Sequence, residues 1–345
     1  MKCIVPFIVK YSPIKKIAII PFEKNPDETY KGFELQYISG EPYGTGYRII
    51  AYRNDDYVDV YDDLSLVFNK DEKFDVALNG LHQHIQTKIS DSIFEMNNNC
   101  ERLSFSFVDI NNRRINFSIE EFTSKKSTPM NLLAPIGYGT KKPNFLPLFF
   151  LYNFDFIRRN KSKINCFIDN KKIPVDKFPL PMNNQFRYYA RFSNQCDLLE
   201  FANTDSLSFL EVELDNNSYK KDNIEYIYDG QNSLSEIVVY LEKRTINIKF
   251  SPSFNMNKDL EGSFKISPDK VMGYIEGIYS IKKEEDKIII KIIPENGWKS
   301  IPNSFVTKMI LKPNSIFCRW SKNYDFTEEI DIKKKLVKSM WKNNN

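Results

Sequence analysis

Alanine and glycine are both scarce in this chain of 345 residues. Alanine has the highest intrinsic helix propensity, so its scarcity argues against a helix-rich protein. The 12 glycines are about half of the usual share of about 7%. The closest glycine pairs complete neither a dinucleotide-binding fingerprint nor a P-loop, which disfavours a nucleotide-binding α/β enzyme. These pairs are Gly44-Thr45-Gly46 and Gly137-Tyr138-Gly139.

Cysteines are few and scattered. The chain has 5, an odd number, and no two of them form a C-x-x-C motif. The pattern therefore indicates neither a zinc ribbon nor a thioredoxin-type redox site. Free thiols in a reducing cytoplasm are the simplest interpretation.

Long apolar runs are missing as well. No run approaches the roughly 18 to 20 apolar residues that cross a bilayer, so we predict no transmembrane segment. The N-terminal stretch MKCIVPFIVKYSPIKK lacks a continuous apolar core before a small-residue cleavage site, so we predict no signal peptide. Together with the scattered thiols, this predicts a cytoplasmic protein.

The chain also lacks an excess of either charge. It has 49 Lys and Arg residues against 45 Asp and Glu residues, a formal net charge of +4. Nucleic-acid-binding proteins usually carry a basic footprint, so we predict no nucleic-acid partner. Hydrophobic residues at 41% and charged residues at 27% are typical of a globular protein.

Aromatic residues, by contrast, are abundant, and they suit a pleated surface. Polar and apolar residues alternate in several short segments, such as Leu103–Phe107 and Ile115–Ile119. These two segments flank the turn-forming residues Asp109–Asn112, so we expect a hairpin over 103–120. Short strands at near-regular spacing predict an all-β fold with two antiparallel β-barrel or sandwich domains.

The C-terminal region combines two predicted strands with one predicted helix. Strands are expected at Phe305–Leu311 and Ser315–Trp320. A short C-terminal helix follows, because Ile332, Leu336 and Met340 fall at four-residue intervals opposite a lysine-rich face. We expect that this amphipathic helix docks on the adjacent β-domain, with binding to a membrane surface as the alternative.

Proline-rich segments mark the predicted domain boundary. Pro179 and Pro181 in the stretch 176–184 oppose helix and remove backbone donors. We therefore predict an N-terminal domain over 1–180 and a C-terminal domain over 181–345. The densely apolar segment Phe145–Arg159 is predicted as a buried strand, with a cavity wall as the alternative.

His82 and His84 are the only histidines. In a strand, an H-x-H pair projects both imidazoles to one face, as a metal site requires. The cupin family uses such a pair with a nearby Glu and a third His, and here the third His is missing. We therefore predict no metal and no cofactor, and interpret His82 and His84 as hydrogen-bonded or ligand-facing.

Arg and Tyr residues recur on single strand faces. Alternation predicts one shared face for Arg187, Tyr189 and Arg191, and another for Arg48 and Tyr52. Inside a barrel such residues must be paired, because an unpaired buried charge is costly. A paired set in an aromatic cavity would orient an organic ligand, whereas on an outward face it would be solvated. The candidate ligand-binding residues are His82, His84, Arg48, Tyr52, Asp59, Tyr61, Arg187, Tyr189 and Arg191, and no catalytic residue is assigned.

The layout of the chain resembles the two-domain lipocalin-like superfamily that includes carotenoid 1,2-hydratases and Diels–Alderases. This resemblance implies binding of apolar molecules in or between barrels, with protonation or cyclisation in some members. The G-x-W opening of true lipocalins is absent, so no catalytic residue is transferred. The segments that carry the resemblance are Gly46-Tyr47-Arg48, Asp109–Glu120, Leu133-Ala134-Pro135 with Leu146-Pro147-Leu148, and Gly297-Trp298.

Three functions remain open from the sequence. The leading one is binding of a hydrophobic or amphipathic small molecule in a β-barrel cavity, with cofactor-free isomerisation, hydration or cyclisation as an extension. The second is a carbohydrate-binding or carbohydrate-processing β-sandwich, which should show an exposed aromatic row beside carboxylates. The third is a non-catalytic interaction protein, which should show a filled interior and a large apolar patch.

Overall fold

A computed structural model of the chain confirms the all-β fold class, with 63% of its residues in strands. It describes residues 2–24, 26–96, 101–122, 128–140, 143–182, 184–202, 208–268, 272–312 and 316–344. The first sixteen strands are β1 (Lys2–Ile4), β2 (Ile8–Ser12), β3 (Ile14–Pro21), β4 (Tyr30–Gly40), β5 (Gly44–Arg53), β6 (Val58–Asp63), β7 (Leu81–Thr87), β8 (Ser90–Met96), β9 (Glu101–Val108), β10 (Arg114–Glu121), β11 (Met130–Ala134), β12 (Phe145–Arg158), β13 (Ser162–Ile168), β14 (Lys171–Lys172), β15 (Arg187–Ser193) and β16 (Gln195–Ala202).

The remaining elements are strands and two short helices. They are β17 (Glu211–Glu213), β18 (Ser218–Lys221), β19 (Ile224–Tyr228), β20 (Leu234–Tyr240), β21 (Thr245–Phe254), β22 (Leu260–Ser267), β23 (Gly273–Glu284), β24 (Lys287–Ile293), β25 (Trp298–Ser300), α1 (Phe305–Ile310), α2 (Ile316–Arg319), β26 (Tyr324–Asp331) and β27 (Leu336–Asn343).

Two ten-stranded sheets organise the fold. The first has the order β2-β16-β12-β15-β3-β4-β5-β6-β7, with β11 added beside β12. The second has the order β18-β19-β20-β21-β22-β23-β24-β26-β27, with β25 added beside β23. Pairing between named strands is antiparallel apart from the parallel pair β6–β7. The sheets are curled, and the fold includes a half-barrel.

A smaller sheet packs on one face of the first large sheet. It has the order β14-β13-β10-β9-β8, and the predicted hairpin over 103–120 is confirmed as β9 and β10. Asn112 in its turn adopts a positive φ of 58°, a conformation that Asn tolerates better than most residues. Phe33 of β4 packs edge-on against Phe105 and Phe107 of β9, so the two sheets share an aromatic core.

The two large sheets share a second hydrophobic core. Phe7 contacts the rings of Phe250 and Phe254, with centroid distances of 5.7 Å to each. Asp197 of the first sheet accepts a hydrogen bond of 2.7 Å from Arg244 beside the second. β15 and β16 complete the first sheet, although they follow residue 180. The division into domains 1–180 and 181–345 stays a prediction.

The predicted C-terminal helix is wrong. Residues 324–343 form the antiparallel hairpin β26–β27, in which Val337 and Trp341 are buried while Leu336 and Met340 are exposed. Residues four apart share one face of a strand as well as one face of a helix, so the spacing fitted both structures.

The strands predicted at Phe305–Leu311 and Ser315–Trp320 are also wrong. The first segment contains α1, whose N-terminus is capped by the Ser304 side chain accepting from the Thr307 backbone N–H. The second contains α2, and its predicted first residue, Ser315, lies outside the described residues. No helix in the described part of the chain is long and apolar enough to cross a bilayer.

Candidate functional site

A cavity of about 830 Å³ lies against the first large sheet. Its lining includes side chains from six successive strands, β11, β12, β15, β3, β4 and β5, together with residues 76–78, the loop 135–140 and α2. Most of these side chains are apolar. The apolar lining includes Ile19, Met130, Leu132, Ala134, Leu151, Phe154, Phe156, Phe178 and Phe317.

The mouth of this cavity lies near the ends of β4 and β5. Tyr57 and Leu78 both line the cavity and remain exposed to solvent. Lys31 and Asp56 also belong to the lining and form an exposed ion pair of 2.6 Å. The cavity is therefore open to solvent beside this ion pair.

Strand register places three polar side chains on the wall that the sheet contributes. Arg191 of β15 lies opposite Ile19 of β3, and Ile19 lies opposite Glu34 of β4. Tyr52 of β5 is two residues from the residue opposite Glu34, so it points to the same face. Glu34, Tyr52 and Arg191 all line the cavity.

Glu34 is the most deeply buried of these groups, with 0% of its surface exposed. The Tyr52 hydroxyl donates to its Oε2 at 2.7 Å, and Gln36 Nε2 donates to its Oε1 at 2.7 Å. Burial raises the pKa of Glu34, although both donors and the charge of Arg191 oppose the rise. Burial and the nearby Glu34 raise the pKa of Tyr52 well above its usual value. Burial therefore shifts both groups toward their neutral forms.

Arg191 faces this pair from the neighbouring part of the wall. Its Nη1 donates to the backbone carbonyl of Tyr189 at 3.2 Å. Burial lowers the pKa of Arg191, and the nearby Tyr52 and Glu34 act in the opposite direction. None of the carboxylates in the described ranges forms an ion pair with Arg191. A guanidinium with spare donors in an apolar cavity is suited to hold an anionic group.

Three of the predicted site residues thus meet in the cavity, namely Tyr52, Tyr189 and Arg191. Glu34 was missed. Its signal was the alternation of Glu34 and Gln36 with the apolar Phe33 and Leu35, inside a segment that was not recognised as a strand.

Arg48 and His84 belong to a separate buried cluster beyond the cavity lining. Arg48 donates to both oxygens of Asp62 at 2.5 and 2.9 Å and to both oxygens of Glu72 at 2.7 Å. His84 Nε2 lies 3.0 Å from Asp62 Oδ2. These side chains form an ion-pair network under the ring of Phe74, which contacts both Arg48 and His84.

One atom from each of Asp62, Glu72 and His84 lies within 4.8 Å of the others, a spacing that could hold a metal ion. The Arg48 guanidinium already hydrogen-bonds all four oxygens of the two carboxylates. An added cation would have to displace a positive charge that neutralises these ligands. The donor set therefore fits an internal ion pair better than a metal centre.

His82 and His84 do not share a hydrogen-bond partner. His82 Nδ1 lies 2.7 Å from Asp59 Oδ1, whereas His84 contacts Asp62, on the opposite face of β6. A register shift between β6 and β7 at Val58 and Asp59 accounts for this, so the expectation that both imidazoles project to one face is wrong. Each histidine is hydrogen-bonded to an aspartate.

Asp59 and Tyr61 face the small sheet. Arg53 Nη1 donates to Asp59 Oδ2 at 2.9 Å, and the hydroxyls of Tyr30 and Tyr61 are 2.8 Å apart. Both Asp59 and Tyr61 are fully buried. They lie on the face of the sheet opposite Tyr52, where the ring of Tyr61 contacts that of Phe107 in β9 at 4.7 Å.

Arg187 lies in another buried cluster of charges at one end of β15. It is fully buried, and its Nη1 donates to the Phe156 carbonyl at 3.4 Å. Nearby, Arg158 pairs with Glu121 and Glu101. Burial and the neighbouring Glu121 raise the pKa of Glu101 well above its usual range. Arg187 therefore belongs to an internal charge cluster and does not line the cavity.

Comparisons of the chain with protein-family models, with curated proteins and with solved structures find no match.

Proposed function

We propose that this protein binds a hydrophobic or amphipathic small molecule in the cavity of the first sheet. The observation that carries the proposal is an apolar cavity of about 830 Å³ with Glu34, Tyr52 and Arg191 grouped on the wall that the sheet contributes. Ligand sites are typically pockets of about 300–1,000 Å³ with mainly apolar walls and a few polar groups that fix orientation.

The polar group favours one type of ligand. Arg191 has spare donors and Tyr52 carries a hydroxyl beside it, so together they suit a carboxylate or another anionic end. Phe154, Phe156 and Phe178 would then pack against the apolar body of the ligand. Isomerisation, hydration or cyclisation extends the same proposal, with Glu34 as the buried acid and Tyr52 as the group next to the ligand.

The lipocalin-like resemblance remains a prediction within this proposal. A reducing, cytoplasmic setting is part of it, because Cys3, Cys166 and Cys196 are unpaired. The apolar cavity favours a small-molecule ligand over the two alternatives. A carbohydrate-binding protein would show an exposed aromatic row beside carboxylates, and a non-catalytic interaction protein would show a filled interior.

The test compares a long-chain acid with the matching alcohol. Palmitate and hexadecanol are titrated against 1-anilinonaphthalene-8-sulfonate bound to the protein, and thermal unfolding is followed in parallel. We expect palmitate to displace the probe and to raise the melting temperature, since a ligand of the native state stabilises it by mass action. Arg191→Met should weaken palmitate binding about tenfold or more, because a charge-assisted hydrogen bond contributes about 1.5–3 kcal/mol.

Two controls make this result specific. Arg114→Met removes an exposed arginine and should leave both affinities unchanged. Ala134→Trp fills the cavity at a lining position and should abolish binding of both compounds. If neither compound changes the melting temperature, or if Ala134→Trp binds palmitate normally, the cavity is not the ligand site.

A further inference from the structure

The segment from Asn296 to Tyr324 contains no acidic residue. Its five basic residues are Lys299 in β25, Lys308 in α1, Lys312 after α1, Arg319 in α2 and Lys322 after α2. The whole chain is nearly balanced in charge, so this stretch is an unusual local excess of positive charge. We call it the basic helical segment.

Three large apolar side chains of the basic helical segment are exposed. Phe305 is 75% exposed, and Met309, one helical turn later, is 50% exposed. Ile301 just before the helix is also 50% exposed. Single exposed apolar residues are ordinary, but a group of them on one short segment marks an interaction surface.

Most of the surrounding basic groups are available for a partner. Lys299 pairs with Glu276 at 2.6 Å. In contrast, the ion pairs found among the described residues do not involve Lys308, Lys312, Arg319 or Lys322. Positive charge without internal neutralisation complements an anionic surface.

The basic helical segment is also attached to the wall of the cavity. Asn303 Nδ2 donates to the carbonyl of Pro129 at 2.8 Å, next to β11. Trp320 Nε1 donates to the carbonyl of Ile136 at 2.9 Å, and Phe317 lines the cavity. The basic helical segment therefore contacts residues that line or flank the cavity.

We propose that the basic helical segment docks this protein on a bilayer surface rich in anionic lipid, with Phe305 and Met309 inserted at the level of the headgroups. Apolar side chains flanked by Lys and Arg are the combination that binds such interfaces, where the lysines approach lipid phosphates and the apolar groups leave water. This goes beyond small-molecule binding and does not require it, because docking involves the outer surface of the segment.

The experiment is co-sedimentation of the full chain with lipid vesicles. One set contains phosphatidylcholine alone, and the other has phosphatidylglycerol as roughly a third of the lipid. We expect binding only to the second set, with weakening as salt is added. Phe305→Ser combined with Met309→Ser, and separately Lys308→Glu combined with Lys312→Glu, should each weaken binding about tenfold or more.

Matched controls keep the number and type of changes constant. Leu64→Ser with Val67→Ser alters two apolar side chains that are exposed elsewhere. Lys335→Glu with Lys338→Glu reverses two exposed charges on the C-terminal hairpin. Both control pairs should bind vesicles like the parent protein, and thermal unfolding followed by circular dichroism verifies that each variant is folded.

Three results would overturn the proposal. The first is absence of binding to either vesicle set, and the second is equal loss in segment and control variants. The third is a dimer, seen by light scattering, that the Phe305→Ser/Met309→Ser variant converts to monomer, because a second copy would then cover this surface. Failure of palmitate to bind the cavity would leave the vesicle result unaffected, so the two proposals are judged separately.

Discussion

One buried carboxyl group changes the charge inside the cavity when it titrates. Glu34 is fully buried, and burial raises its pKa, so it stays protonated to a higher pH than an exposed glutamate. While Glu34 is neutral, the positive charge of Arg191 is uncompensated within the cavity. When Glu34 ionises, it offsets that charge and competes with an anionic ligand.

This competition predicts a pH dependence of anion binding. The affinity for 1-anilinonaphthalene-8-sulfonate, whose sulfonate stays charged, should fall as pH rises through the raised pKa of Glu34, because deprotonation adds a negative charge near the ligand. Glu34→Gln should remove the dependence and keep the low-pH affinity, since the amide imitates the neutral acid. Fluorescence titration at a series of pH values measures this.

The control for the pH series is Glu28→Gln, which changes an exposed glutamate. It should retain the pH dependence of the parent protein. An unaltered pH profile in Glu34→Gln would mean that another group governs the charge of the cavity.

Part of this site follows from the amino-acid sequence for a physical reason. Alternation determines which side chains of one strand share a face, so Tyr189 and Arg191 were grouped correctly. Alternation does not determine which neighbouring strand or loop packs against that face. Arg48 shares a face with Tyr52, yet it lies opposite Asp62 and forms an ion pair with it. Glu34 was missed because β4 was not predicted.

At the scale of single elements, the C-terminal hairpin shows why strand and helix were confused. The spacing of lysines and apolar residues in 332–342 matches that of an amphipathic helix. In the hairpin, the backbone N–H of Lys334 donates to Asp331 Oδ1 at 2.8 Å, and Lys335 adopts a positive φ of 55°. This turn chemistry was not recognised, although Asp is a favoured turn residue.

The hairpin and the helix predict opposite outcomes for a substitution of Met340. Met340 is 57% exposed and Trp341 is 3% exposed, so Met340→Lys should change the free energy of unfolding by about 0.5 kcal/mol or less. Trp341→Ala should lower it by about 3–5 kcal/mol, because a large buried side chain is lost. In the helical alternative, Met340 would be at the centre of the buried stripe, and Met340→Lys would be severely destabilising. Urea denaturation of the two variants distinguishes these arrangements.

At the scale of the whole molecule, the two large sheets share more than an aromatic contact. The hydroxyl of Tyr226 in β19 donates to the carbonyl of Phe7 at 3.4 Å, and it lies 3.3 Å from the backbone N of Val9. Arg244 lies over the ring of Tyr152 at 3.7 Å while it pairs with Asp197. Buried polar contacts between the sheets are costly to break separately, which couples their unfolding.

If the sheets unfold together, a destabilising substitution in one sheet should lower the unfolding midpoint of the others. Phe105 is buried in the small sheet and stacks on Phe117 at 5.0 Å, whereas the three tryptophans all lie between residues 298 and 341. Phe105→Ala should lower the free energy of unfolding by about 3–5 kcal/mol. If the molecule unfolds as one unit, the tryptophan fluorescence transition should move to lower urea together with the far-ultraviolet circular dichroism transition. A fluorescence transition that stays in place while part of the dichroism signal is lost earlier would show two independently folding domains.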